Sequence, residues 1–261
     1  MLNVIRSEWA KLMRPGMILG GAGALIGLGV AGTLMVFSLA QHGPAGPGPV
    51  QGAEMLELTD GFVRSFVFSS QILGATSLVL FARIVTADYA QGTLKVLLAR
   101  EPNRTRLLAG KYVTMAAFVA TVLLLAVAAM LVVATVTALN RGLDISAWWT
   151  PQGWGEMALG VLRLEAGTLV WGLFGFAIGA IVRNGAAANG IGIGAIAIGG
   201  HLTEMFWDDA GKWLPDLVLG AFAMGGNGDI SLANAGGVVA LYAAILGTLA
   251  WFAYNRGDVT A

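Results

Sequence analysis

The sequence predicts an all-α membrane protein. It should have six transmembrane helices, an N-terminal amphipathic interface helix, a helix in the loop between the second and third spans, and a re-entrant or interfacial segment before the last span. Three observations carry this expectation. The chain is 57% hydrophobic and only 11% charged, whereas a soluble domain carries about 25% charged residues and needs a large wetted surface. Its apolar residues form runs long enough for the ~30 Å hydrocarbon core, which takes about 20 residues of helix. Its Lys and Arg residues are spread unevenly between the two ends of those runs. The 38 glycines agree, because Gly is commoner in membrane helices than in soluble ones.

The whole chain reads as one transmembrane domain. Within residues 1–14, Leu2, Ile5, Trp9, Leu12 and Met13 recur at helical spacing, with Asn3, Ser7, Lys11 and Arg14 on the other side. Such a helix lies in the membrane interface with Trp9 at headgroup level, and Pro15-Gly16 ends it. A cleaved signal peptide is disfavoured: the first apolar run is too long, and no Ala-x-Ala site precedes the glycine-rich loop. Spans are expected at about 17–40, 65–87, 112–139, 156–182, 186–206 and 230–254. In the first, Gly16, Gly20 and Ala24 are four apart, as are Gly23 and Gly27, a spacing that allows close helix packing. In so glycine-rich a chain the same spacing also arises from composition. Gly190 with Gly194, and Ala195 with Gly199, repeat it in the fifth span. The Pro/Gly run at 43–52 is a loop. Trp148, Trp149 and Trp154, in the loop 140–155, fit an interfacial aromatic belt. Residues 213–224 are mostly apolar but too short to span.

Six spans put both termini on one side. Arg6, Lys11, Arg14, Arg83, Lys95, Arg100, Arg104, Arg106, Lys111, Arg183 and Arg256 share that side, against Arg64, Arg141, Arg163 and Lys212 on the other. The positive-inside tendency makes the first group, and so both termini, cytoplasmic.

Several chemistries are excluded. Without Cys there is no disulfide framework or thiolate metal site. Two histidines, His42 and His201, are too few for a metal centre. Gly110-Lys111 and Gly211-Lys212 are followed by Tyr112 and Trp213 rather than the Ser or Thr of a phosphate-binding loop. Neither His-Glu-x-x-His nor Gly-x-Ser-x-Gly occurs. No catalytic residue, metal site, cofactor or nucleic-acid partner is therefore expected in this chain. Ser69, Ser70 and Gln71 either face a pathway or hold helices together. Arg163, Glu165, His201 and Glu204 are expected near the outer boundary, either snorkelling to headgroups or forming a polar patch at the mouth of a pathway. His201 and Glu204 are three apart and can share a helix face; Arg163 and Glu165, two apart, cannot.

Residues 83–111 form a charged island with six of the fifteen Lys and Arg residues. A short helix is expected at 88–100, with Leu94, Leu97 and Leu98 on one side. Pro102 stops it, and Asn103 is placed to cap the next helix. An ordinary loop obeying the positive-inside tendency accounts for the charge, but not for the helical pattern or for Gly92-Thr93 within it.

The island resembles the first cytoplasmic loop of the type-2 ABC transporter permeases. That pattern is an acidic residue, three residues, Gly-Thr, a basic residue, Leu, then Arg near the third span. Asp88, Gly92, Thr93, Lys95, Leu98 and Arg104 match it. Glu8-Trp9-Ala10-Lys11-Leu12 resembles the Glu-x-x-Lys-Leu openings of that family. Asn255-Arg256-Gly257-Asp258 resembles its Arg-Arg-Asp tails, with Gly257 in place of the second Arg. The layout is similar along the whole chain. The resemblance implies a permease subunit of a bacterial ABC exporter in the cell membrane. It would pair with a second permease subunit, as homodimer or heterodimer, and be powered by separate ATPase subunits that bind ATP and Mg. In that scheme 88–104 is the coupling region. Asp88, Gly92, Thr93, Leu94, Lys95, Leu97, Leu98, Arg100 and Arg104 serve the ATPase contact, the leucines filling an apolar cleft while Lys95, Arg100 and Arg104 meet its polar rims. Two other classes compete: an intramembrane enzyme, for which His201 with Glu204 is the one pair on offer, and a non-transporting scaffold or immunity protein. No motif selects among drugs, peptides, lipids and polysaccharides as substrate.

Overall fold

The computed structural model describes residues 2–40, 52–195, 203, 206–207 and 209–256. In chain order its main helices are α1 (Leu2–Leu12), α2 (Pro15–Ala40, including a π-helical turn at Ile18–Ala22), α3 (Val67–Ala90), α4 (Leu94–Arg100), α5 (Arg104–Asn140), α6 (Pro151–Val182), α7 (Gly185–Gly194), α8 (Pro215–Met224) and α9 (Leu232–Arg256). Among the described residues, α2, α3, α5, α6 and α9 are long and apolar enough to cross a membrane, the make-up of a multi-pass membrane protein. The expected span at 186–206 begins as α7, but most of its second half lies outside the described residues.

Caps place several helix starts earlier than apolar runs alone suggest. Asn103 accepts a hydrogen bond from the Arg106 N–H at 3.0 Å and starts α5. Its 37 residues make a rod of about 55 Å, far longer than the hydrocarbon core. Thr150 accepts from the Gly153 N–H at 3.1 Å, with Pro151 at the first helical position. That moves the start of α6 well ahead of residue 156. Arg163 therefore sits about 18 Å along α6, well inside the helix and not at its entrance as the sequence reading placed it.

The bundle is built on the pairing of α3 with α6. Along α6, Gly160 faces the short Gly61–Arg64 helix before α3, and Gly172, Gly175 and Gly179 face α3 itself. Added side chains there would overlap Val63, Phe81, the Leu78 carbonyl and Ala82 respectively. On α3, Gly74 makes the matching space for Trp171. Small residues let the two backbones approach closely, which is how membrane helices gain dispersion contacts without a hydrophobic driving force. The glycine pairs expected to pack in α2 lie elsewhere. Gly16, Gly20, Gly23 and Gly27 have open space where a side chain would go. Gly32 is the close contact: a Cβ there would lie 2.6 Å from Ser69 Oγ. Ser69 donates to the Gly29 carbonyl at 2.9 Å, so it joins α2 to α3.

The end of the bundle that carries the 53–66 and 141–150 segments is closed by an aromatic plug. Trp148 is fully buried and donates from Nε1 to the Leu56 carbonyl at 2.8 Å. Phe62 stacks between Trp148 and Phe66, with ring centroids 5.9 and 4.8 Å away. Of the three tryptophans expected in a belt, only Trp149 and Trp154 are exposed. Trp148 is taken out because its N–H has a carbonyl to satisfy inside. α8 is inserted among α3, α6 and α9, burying Val218, Leu219, Ala221 and Ala223.

Candidate functional site at the charged end

At the opposite end, the described parts of the three stretches that carry the resemblance come together. The link is an ion cluster between α1, the last turn of α3, and α5. Lys111 is 0% exposed, Glu8 1% and Asp88 4%. Lys111 Nζ lies 2.9 Å from Glu8 Oε1 and also contacts Asp88 Oδ2. Lys11 Nζ, half in solvent, lies 2.8 Å from Glu8 Oε1 and 3.5 Å from Asp88 Oδ1. Two carboxylates thus face two ammonium groups. Burial lowers the affinity of Lys11 for its proton, but the hydrogen bond to Glu8 and the charges of Asp88 and Glu8 outweigh it. The net shift is above the usual lysine value.

The local fold explains why these residue types stand where they do. α3 runs to Ala90, two residues beyond Asp88, so the expected helix at 88–100 is divided between α3 and α4. The division is a Schellman cap. The Thr93 N–H donates to the Asp88 carbonyl at 3.1 Å, and the Gly92 N–H to the Tyr89 carbonyl at 3.2 Å. Gly92 stands at φ +64°, the left-handed region in which a residue with Cβ loses roughly 1–2 kcal/mol. The Thr93 hydroxyl then donates to Asp88 Oδ1 at 3.2 Å, which leaves the other oxygen to Lys111. Asp88, Gly92 and Thr93 are one unit: a chain reversal whose acid anchors α1 and α5.

α1 docks by an unexpected face. Val4, Glu8 and Leu12 are buried, and Gly110 leaves room for Val4, whose Cγ1 would be 2.7 Å from an added side chain. Leu2, Trp9 and Met13, from the predicted apolar side, stay exposed. The helix therefore carries an apolar outer side and a separate inner face with Glu8 at its centre.

α4 also turns differently from the sequence reading. Leu94 is buried in the bundle, and Leu97 and Leu98 are half-buried against it. The outward face consists of Lys95, Val96 and Ala99, with Val96 56% exposed. Arg104 points inward: its Nη1 donates to the carbonyls of Tyr254 at 3.4 Å and Asn255 at 3.1 Å. It thereby satisfies the C-terminal end of α9, where a cation is favoured. Trp251 Nε1 and Asn255 Nδ2 both donate to Thr105 Oγ1, at 3.0 and 3.4 Å. Only the backbone of Arg100, the last residue of α4, is described.

The expected intramembrane group is divided. Ser70 and Gln71 line a narrow crevice with Leu164, Thr168 and Gly220 between α3, α6 and α8, with room for about one water molecule. Ser69 is not part of it. Arg163 packs its guanidinium against Gly225 beyond the end of α8. Arg163 Nε and Glu165 Oε1 have no hydrogen-bond partner among the described residues. His201 and Glu204 lie outside the described residues. Among the described residues no group of His, Asp and Glu is arranged to hold a metal.

Sequence reasoning missed Glu8 and Lys111 as site residues. The available signal was the scarcity of acids on their side: Glu8, Asp88, Glu101 and Asp258 stand there against eleven cations, so an acid within a docked helix has a cation to meet.

The family model described as "Protein of unknown function (DUF2705)" matches residues 36–260, and the chain belongs to that family. The matched stretch includes Asp88, Arg104 and Lys111 and begins within α2, after Glu8 and Lys11. A search of curated proteins finds no significant match.

Proposed function

We propose that this DUF2705 chain is the permease subunit of an ATP-driven ABC exporter. It would form the substrate pathway with a second permease subunit and receive force from separate ATPase subunits through 88–104. The observation that carries this reading is the way α4 is mounted. It is a short helix with Lys95, Val96 and Ala99 outward, held between two long rods by a Schellman turn and an Asn-capped helix start. A push on α4 is not absorbed by a slack loop. It passes into α3 and α5 directly, into α1 through Glu8 and Lys111, and into α9 through Arg104. Rigid elements with shared contacts are the kind of network that transmits a domain closure. ATP and Mg would be bound by the partner, and the coupling end would face the cytoplasm.

This assigns the residues two tasks. Asp88, Gly92, Thr93, Leu94 and Arg104 hold the lever, while Lys95, Val96 and Ala99 meet the ATPase. The test is capture of the tagged, full-length chain from its native membranes. An ABC-type ATPase should co-purify, and its hydrolysis should respond to the permease. Val96→Asp should leave thermal stability unchanged and lose the ATPase. Absence of any ATPase from the wild-type preparation, or undiminished capture by Val96→Asp together with Lys95→Glu, refutes the assignment.

A further inference from the structure

The outer side of α1 carries a patch that the bundle leaves unused. Leu2, Trp9 and Met13 form an exposed apolar stripe along it. Arg6, four residues after Leu2 and three before Trp9, stands at the edge of that stripe. Arg14 follows Met13, and both arginines are exposed. Glu8 is the only acid before Glu54, and it is buried against Lys111 and Lys11. Docking of α1 thus withdraws its one acid from the surface and engages Lys11 with it. Two arginines remain beside apolar side chains. Among the described residues neither of them has an ion pair.

We propose that this side of α1 docks on anionic phospholipid, with headgroup phosphates on Arg6 and Arg14 and the stripe in the acyl boundary. Charge complementarity selects the headgroup. A patch with cations and no exposed acid attracts net negative charge, and a guanidinium meets phosphate with paired N–H groups. In a zwitterionic headgroup the ammonium or choline opposes that attraction. Position selects a membrane over an acidic protein. Pro15-Gly16 joins α1 directly to α2, which is long and apolar enough to cross a membrane and exposes Ile18 and Leu19 in its first turns. The patch therefore begins at the lipid boundary, where Trp side chains collect and amphipathic helices bind through apolar burial plus attraction to anionic lipid. A permease and a scaffold would use it alike, so the proposal does not rest on the exporter reading.

The chain has no Cys, so Ala10→Cys gives a single attachment point for a fluorophore. Ala10 is exposed and lies four residues from each arginine. The labelled full-length protein is placed in phosphatidylcholine nanodiscs containing a small, equal fraction of nitroxide-labelled phosphatidylglycerol or nitroxide-labelled phosphatidylcholine. The anionic quencher should be enriched beside α1 by about fivefold for each arginine, and raised salt should shrink the difference. Arg6→Gln with Arg14→Gln should bring the two quenchers to equal effect. Arg6→Lys with Arg14→Lys should keep most of the preference, because charge is retained. Gel filtration checks that each variant remains folded. Equal quenching in the parent, a preference undiminished by the glutamine pair, or one insensitive to salt overturns the proposal. Should the glutamine pair fail to fold, the parent's lipid preference and its salt dependence decide it.

Discussion

Replacing Lys111 by Met tests the charged end most directly. The substitution keeps most of the side-chain volume and removes the ammonium that sits between Glu8 and Asp88. Two buried carboxylates then remain with Lys11, which is half in solvent and lies 3.5 Å from Asp88. Breaking a buried ion pair by deleting one partner costs about 3–5 kcal/mol. Lys11 offsets part of this, so a value near the lower limit, about 3 kcal/mol, is expected. For a chain of this size that lowers the melting temperature by roughly 6–12 °C. The measurement is thermal unfolding of the purified protein in nanodiscs. Amide exchange should show α1 losing protection first, because Glu8 is the polar centre of its docked face. Glu8→Gln combined with Lys111→Met should be less damaging than the sum of the two single changes by about 1–3 kcal/mol, since the pair is lost only once. A Lys111→Met protein within about 0.5 kcal/mol of wild type, or strict additivity in the double variant, refutes the cluster as a fastening of α1.

Three further outcomes are expected. Gly175→Ala places a methyl group against the Leu78 backbone carbonyl, which cannot move aside, and should destabilise by about 1–3 kcal/mol. Gly27→Ala, in open space, should be neutral or stabilising by up to about 1 kcal/mol; equal effects in thermal unfolding would contradict the α3–α6 pairing. Trp148→Phe strands the Leu56 carbonyl inside the plug and should cost about 1–3 kcal/mol in the same assay. Asp144 is held below its ordinary pKa by the Ser146 backbone N–H and then by the Ser146 side chain. A depressed carboxylate stabilises above its unfolded value of 3.8 and loses that contribution as pH falls through the folded one. Asp144→Asn should therefore reduce the acid sensitivity of unfolding below about pH 4, and an unchanged pH profile would argue against the Ser146 contacts.

The legible part of the fold was the part set by solvent. Apolar runs, Pro15-Gly16, Pro102 and the Asn103 cap are all local consequences of a lipid surrounding and of backbone hydrogen bonding. What the sequence hid was which face meets which neighbour. Gly172, Gly175 and Gly179 have the same spacing logic as Gly20, Gly23 and Gly27, yet only the first set has a partner helix among the described residues. In lipid, both faces of a helix are apolar, so periodicity does not single out the buried one as it does in water. The leucines of α4 and the docked face of α1 were misassigned for a related reason. Near the interface an apolar side chain has two destinations, the lipid boundary or the bundle. Leu2 and Trp9 took the first, while Leu94 and Leu12 took the second. Trp148 parted from Trp149 and Trp154 through a hydrogen bond to a carbonyl 92 residues away in sequence, a long-range fact with no local trace.

The motif that carried the family resemblance acquires a physical meaning that separates two questions. Asp88, Gly92 and Thr93 are required by the chain's own geometry: a left-handed Gly, a Thr that holds the acid, and an acid that neutralises a buried Lys. Such a unit is useful to any bundle that must reverse direction and fasten a neighbouring helix, with or without an ATPase. Changes at these three positions will damage the protein under either hypothesis, so they do not discriminate a permease from a scaffold. The discriminating positions are those the fold leaves unused, Lys95, Val96 and Ala99 on the outward side of α4. An exposed Val in a helix with no call on it from the bundle is where a partner's requirement, if there is one, must be written. That is why the coupling test rests on Val96→Asp rather than on the leucines or on Gly92.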